Sequence, residues 1–104
     1  MTQDLTQQEW EKLVASSSNP VILDVRTDEE VADGYIPGMK HIDIREGNVF
    51  MEKLEALDKT KTYFVYCRSG ARSQQACEIM DQMGFQTCYN LLDGFMQWGG
   101  AVEH

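Results

Sequence analysis

Tyr63-Phe-Val-Tyr-Cys-Arg-Ser-Gly-Ala-Arg-Ser73 is the stretch whose reading decides the fold. From Tyr63 to Tyr66 the run is apolar, with the aromatic and β-branched content of a buried strand. It stops at Cys67, and Arg68-Ser69-Gly70-Ala71-Arg72 follows. A helical pattern begins near Ser73, with Ala76, Ile79, Met80 and Met83 at i, i+3, i+4 and i+7. A thiol thus stands at the C-terminal tip of a strand, on a tight loop feeding a helix N-terminus. An open α/β sheet places its ligand crevice there.

The position favours a thiolate. Unpaired backbone N–H groups and the positive end of a helix dipole point into such a loop. Arg68 and Arg72 add two cations, and all three effects lower the pKa of Cys67. Gly70 allows a positive φ, so the loop amides can turn inward as an anion cradle. The competing reading, a small apolar core residue, fits poorly beside two arginines and a glycine. Cys67 is the candidate nucleophile.

Working outward, Asp24 and Arg26 follow the apolar run Val21 to Val25, which reads as a strand buried on both faces. They fall on the same sheet edge as Cys67. Asp28 is placed to cap a short helix through Glu29, Glu30, Val31 and Ala32, with Arg26 and Glu30 as a pair near the turn. Asp24, Arg26 and Glu30 are expected to support the loop structurally rather than to act in chemistry. At the N-terminus, Thr6-Gln-Gln-Glu9 is a capping box before a helix that buries Trp10, Leu13 and Val14. Gly34-Tyr-Ile-Pro-Gly38 reads as a turn into a short strand from Lys40 to Ile44, with His41 as a packing residue. Asn48 to Leu57 has helical spacing at Phe50, Leu54 and Leu57. Gly84 ends the helix after the loop, Gln86 to Leu92 is the last strand, and Asp93 to Gly99 a short helix carrying Trp98 as a core anchor. Cys77 and Cys88 read as core-fitting residues. The order gives one α/β domain over residues 1–104, a parallel sheet with helices on both faces.

Cys67-Arg68-Ser69-Gly70-Ala71-Arg72-Ser73 resembles the active-site loop of the rhodanese (thiosulfate sulfurtransferase) family. Leu23-Asp-Val-Arg, Glu30, Gly34-Tyr-Ile-Pro-Gly38 and His41-Ile42 are similar to the family's Asp-x-Arg…Glu…Gly-His-Ile-Pro-Gly signature. Leu92-Asp-Gly-Phe-Met-Gln-Trp98 resembles its Gly-Gly…Trp signature. Tyr35 stands where the family usually has His, and Phe95 where it has the second Gly. The resemblance implies a rhodanese-like three-layer sandwich on a mostly parallel five-stranded sheet, with a short extra strand near the N-terminus. It implies Cys67 as catalytic cysteine, substrate binding by Arg68, Ser69, Gly70, Ala71, Arg72 and Ser73, and no cofactor. The implied reaction moves a sulfane sulfur from thiosulfate or a similar anion, through a persulfide on Cys67, to cyanide, a thiol or a sulfur-accepting protein. Arg68 and Arg72 are expected to orient the sulfonate end of the donor.

Composition sets the outer bounds. The chain has 104 residues, with 17 acidic and 9 basic, for a net charge of −8. General nucleic-acid binding is disfavoured, and a dianionic substrate must be drawn in by local charge. Three cysteines without paired spacing, and two histidines, suit neither a disulfide framework nor a structural metal. A reducing, cytoplasmic location is the expectation. The N-terminus lacks a basic, apolar leader, and no membrane span is expected. Glu103-His104 resembles an affinity-tag stub and is left out of the functional reading. Cysteine phosphatases share the sheet, but their loop has five residues between Cys and Arg, whereas four separate Cys67 from Arg72. The main rival reading is a non-catalytic sulfur carrier or interaction module.

Overall fold

The computed structural model describes residues 2–104. The apolar run becomes β4 (Thr62–Tyr66). Successive strand side chains point to opposite faces. Tyr63, Val65 and Cys67 therefore join one core cluster with Leu23, Val25, Phe50, Leu54 and Met80. Phe64 and Tyr66 join the other, with Leu5, Trp10, Ile36 and Leu91. Both faces of β4 are covered, which is why its sequence is continuously apolar rather than alternating.

The remaining elements are β1 (Thr2–Leu5), α1 (Gln7–Ser16), β2 (Pro20–Asp24), α2 (Asp28–Ala32), β3 (Lys40–His41), α3 (Asn48–Glu55), α4 (Ala71–Gln82) and β5 (Thr87–Leu91). The sheet runs β1-β5-β4-β2-β3 with every pair parallel. The α1 residue Trp10 covers one face, edge-on to Phe64 at 5.5 Å. Helices α3 and α4 cover the other through Phe50, Leu54, Ala76, Cys77 and Met80. This is the expected three-layer α/β sandwich, and the added N-terminal strand is β1 on the edge beside β5.

Several boundaries differ from the sequence reading. Helix α4 begins at Ala71, ahead of Ser73, because Gly70 sits in the left-handed region (φ 99°) and hands its neighbour straight into the helix. Strand β3 stops at His41, and a 3₁₀ turn capped by Asp43 takes Ile44–Glu46. Strand β5 is Thr87–Leu91, one residue shorter at each end than expected. The stretch after it forms only a 3₁₀ turn, Phe95–Gln97. Helix α1 has the predicted capping box of Thr6 and Glu9. Helix α2 is capped by Thr27, not Asp28: the Thr27 hydroxyl accepts from Glu30 N–H and the Glu30 carboxylate accepts from Thr27 N–H. Glu103 belongs to the fold rather than trailing from it. Its N–H and C=O pair with Tyr35 in an antiparallel bridge, both bonds 2.9 Å. That bridge gives the unusual Tyr35 a backbone role beside the site.

Candidate active site

The strand register assembles the site. Asp24 pairs with Tyr66 across β2 and β4, so the residues following each strand emerge side by side on one edge. Asn90 of β5 lies opposite Val65, one row below. Cys67 is fully buried. Its Sγ accepts hydrogen bonds from Gly70 N–H at 3.1 Å and the Ser73 hydroxyl at 3.4 Å. Burial raises the Cys67 pKa. The Ser73 hydroxyl and the amides of Ser73, Ser69 and Gly70 together outweigh it, leaving the thiol below its ordinary value. The downward pull on the thiol comes from amides and one hydroxyl of the loop.

Two glycines let the cradle close. A Cβ on Gly70 would lie 2.3 Å from the Leu92 carbonyl oxygen, and one on Gly94 2.3 Å from that of Arg68. The chain after β5 is pressed against the loop at these points. There Phe95 N–H donates to Cys67 C=O at 2.8 Å and Met96 N–H to Arg68 C=O at 2.9 Å. Those bonds draw the first two loop carbonyls away from the sulfur and leave N–H groups facing it.

The predicted supports are present, but paired differently. The expected Arg26–Glu30 ion pair does not form. Arg26 instead binds Asp24, with Nη2 to Oδ2 at 2.7 Å and Nε to Oδ1 at 3.0 Å, and both side chains are buried. Burial alone lowers the Arg26 guanidinium, but Asp24 outweighs it and holds it above its usual value. Arg26 also donates to Gly34 C=O at 2.7 Å, and its guanidinium lies 4.4 Å from the Phe95 ring centroid. Phe95, the departure from the family glycine, thus roofs this ion pair. Glu30 pairs with Arg72 through two parallel bonds of 2.7 and 2.8 Å. The Arg72 hydrogen bonds, reinforced by Thr27 against burial, hold the Glu30 carboxyl at about 2. Arg72, expected to orient the donor, thereby ties α4 to α2. His41 places Nε2 2.7 Å from the Arg26 carbonyl, a structural contact as expected. Trp98 packs edge-on to Trp10 at 6.5 Å but stays partly exposed.

Arg68 is exposed and forms none of the ion pairs found among the described residues. It lines a cavity of about 400 Å³ with Arg26, Glu30, Asp33, Phe95 and Met96. The sequence reading missed Asn90, which bonds the Ser73 hydroxyl, and the Phe95 roof. The available signal for Asn90 was a carboxamide inside the apolar run Cys88 to Leu92, near the same strand edge. Among the described residues no group of three His, Cys, Asp or Glu gathers to hold a metal ion. No helix among them is long and apolar enough to cross a membrane.

The fold and site together are a parallel α/β sheet with a buried cysteine in an amide cradle at a strand tip. The Rhodanese-like domain family matches residues 6–101, and the chain belongs to that family. It is 49% identical over 82 residues to the Bacillus subtilis protein named "Putative sulfurtransferase YtwF", covering 79% of this chain and 76% of that one. It is 30% identical over 89 residues to "Thiosulfate sulfurtransferase GlpE" of Coxiella burnetii, covering 86% and 78% respectively. A crystal structure of a rhodanese-like domain protein from Staphylococcus aureus superposes with a TM-score of 0.83 at 31% identity, over 97% of this chain and 96% of that one.

Proposed function

We propose that the chain is a sulfurtransferase carrying a sulfane sulfur on Cys67 between thiosulfate, or a similar anionic donor, and a thiol or cyanide acceptor. The observation that carries this is the Cys67 sulfur held by Gly70 N–H and the Ser73 hydroxyl at the start of α4. The names of the relatives point the same way. The thiolate attacks the outer sulfur of the donor, the donor S–S bond breaks, and sulfite leaves with the bonding pair. The product is a Cys67 persulfide, whose terminal sulfur keeps the negative charge in the cradle. An acceptor thiolate or cyanide then attacks that sulfur and the Cys67 thiolate returns. Neither displacement needs a general base. Arg68, unpaired at the cavity rim, meets the anionic oxygens of the donor. Arg72 already has both terminal nitrogens on Glu30.

Intact mass before and after thiosulfate tests the reading. One added sulfur on Cys67, lost to cyanide as thiocyanate, is the expected result. No mass gain with any sulfane donor overturns it. Thiocyanate production continuing past one equivalent marks an enzyme, and a single loading marks a carrier.

A further inference from the structure

Ser73 has one hydroxyl proton, and three acceptors lie around it. The Oγ bonds Asn90 Oδ1, and stands 3.2 Å from Gly70 C=O and 3.4 Å from Cys67 Sγ. The orientation of the buried Asn90 carboxamide is fixed by its far side. Its Nδ2 donates to Asp4 Oδ1 at 3.0 Å and to Gly70 C=O at 3.3 Å, both of which only accept. Oδ1 must therefore face Ser73 and compete for the proton.

We propose that Asn90 is a positioning residue for sulfur transfer, holding the Ser73 hydroxyl away from Cys67 until the sulfur carries charge. With a neutral thiol the proton rests on Asn90 Oδ1. A thiolate or persulfide anion is the stronger acceptor and draws it over. The exchange is a rotation about the Ser73 Cβ–Oγ bond, and no proton leaves the oxygen. The charged or titratable groups linked to this arrangement are Asp4 on β1, bonded to Asn90, and Arg72 and Cys77 on α4, which interact with Cys67 through charge, with Glu30 of α2 paired to Arg72. Among the described residues none of them bonds the Ser73 hydroxyl. Asp4, together with Gly70 C=O, orients the carboxamide, which links the edge strand to Cys67.

This rests on Cys67 as the sulfur-bearing residue, and its test separates the two. The pH dependence of Cys67 alkylation by iodoacetamide is read by mass for the wild type, Asn90→Ala, Ser73→Ala and the double variant. Asn90→Ala leaves only the Gly70 C=O, already bonded by Gln74 N–H, to compete with an anionic sulfur for the hydroxyl, so the midpoint moves to lower pH. Ser73→Ala moves it to higher pH, with thiolate at a fixed pH below the midpoint falling by about tenfold, the effect of one charge-assisted hydrogen bond. The double variant matches Ser73→Ala. A midpoint that rises in Asn90→Ala overturns the proposal, as does an Asn90→Ala effect that persists undiminished in the Ser73→Ala background. Should Asn90→Ala fail to fold, the near-isosteric Asn90→Leu removes the same acceptor and gives the same downward shift. That shift must vanish in the Ser73→Ala background. Alkylation midpoints need no sulfur donor, so a wild type that never loads sulfur defeats the proposed function without touching this test.

Discussion

Cys67 and Cys88 sit on neighbouring lines of the sheet, both fully buried, and their thiols are driven in opposite directions. Burial pushes Cys88 up to about 12, whereas Cys67 ends below its ordinary value. Cys77, equally buried on α4, follows Cys88 upward for the same reason. Desolvation acts on all three. The difference lies in which amides remain free. Cys88 is inside β5, paired in register with Thr2 and Tyr63, where the ladder consumes the surrounding N–H groups. Cys67 lies one residue past β4, beside the first turn of α4, whose N–H groups have no helical partner. The direction of the thiol shift here turns on one step along the chain, not on depth.

The largest test of this contrast is replacement of the two thiols in turn. Cys67→Ser lowers sulfur transfer by at least about 10³-fold in a thiocyanate assay. A variant retaining wild-type turnover refutes the assignment. Next comes the cradle itself. Gly70→Ala places a Cβ against Leu92 C=O at a φ of 99°, and costs about 2–3 kcal/mol in denaturant melts. It also displaces an amide from the sulfur, so the Cys67 alkylation midpoint rises. A midpoint left unchanged would mean that Gly70 serves packing alone.

A smaller effect comes from Glu30, held at about 2 against an ordinary 4.5 by Arg72. A depressed carboxylate stabilises the fold fully above pH 4.5 and loses that contribution as pH falls through about 2. The half-buried pair contributes on the order of 1–2 kcal/mol. Stability measured from pH 6 down to 2 should fall less steeply in Glu30→Gln than in the wild type. Equal slopes would show that the pair does not couple to folding. Smallest of all is Cys88→Ala, a trimmed core side chain costing about 1 kcal/mol with sulfur loading on Cys67 intact. Loss of loading there would give Cys88 a part in transfer and dissolve the contrast.

Much of the site was legible because it follows from order along the chain. Strand β4, Cys67 at its tip, the inward amides and the helix beyond are one continuous segment, and local physics fixes their relation. The Thr6–Glu9 cap was legible for the same reason, since both partners lie within one turn. The α2 cap was misplaced by one residue. Thr27 and Asp28 are both good caps, and only the chain path out of β2 chose Thr27.

The charge pairing was not legible. Arg26 lies four residues from Glu30 and two from Asp24, and sequence distance does not say which carboxylate a guanidinium meets. Glu30 meets Arg72, 42 residues away. Nor could spacing place Asn90 against Ser73, or the Phe95 ring against the Arg26 guanidinium.

The sequence by itself determined the class of fold, the place of Cys67 at a strand tip and the amides around it, because periodicity, turn chemistry and helix-end electrostatics act over a few residues. Only the tertiary structure decided which loop arginine is held in an ion pair, which carboxylate each cation takes, and which acceptors surround the Ser73 hydroxyl. Those choices rest on side chains from β1, β2, α2 and β5 meeting at one sheet edge, and hydrogen bonds and ion pairs are decided by distance in space.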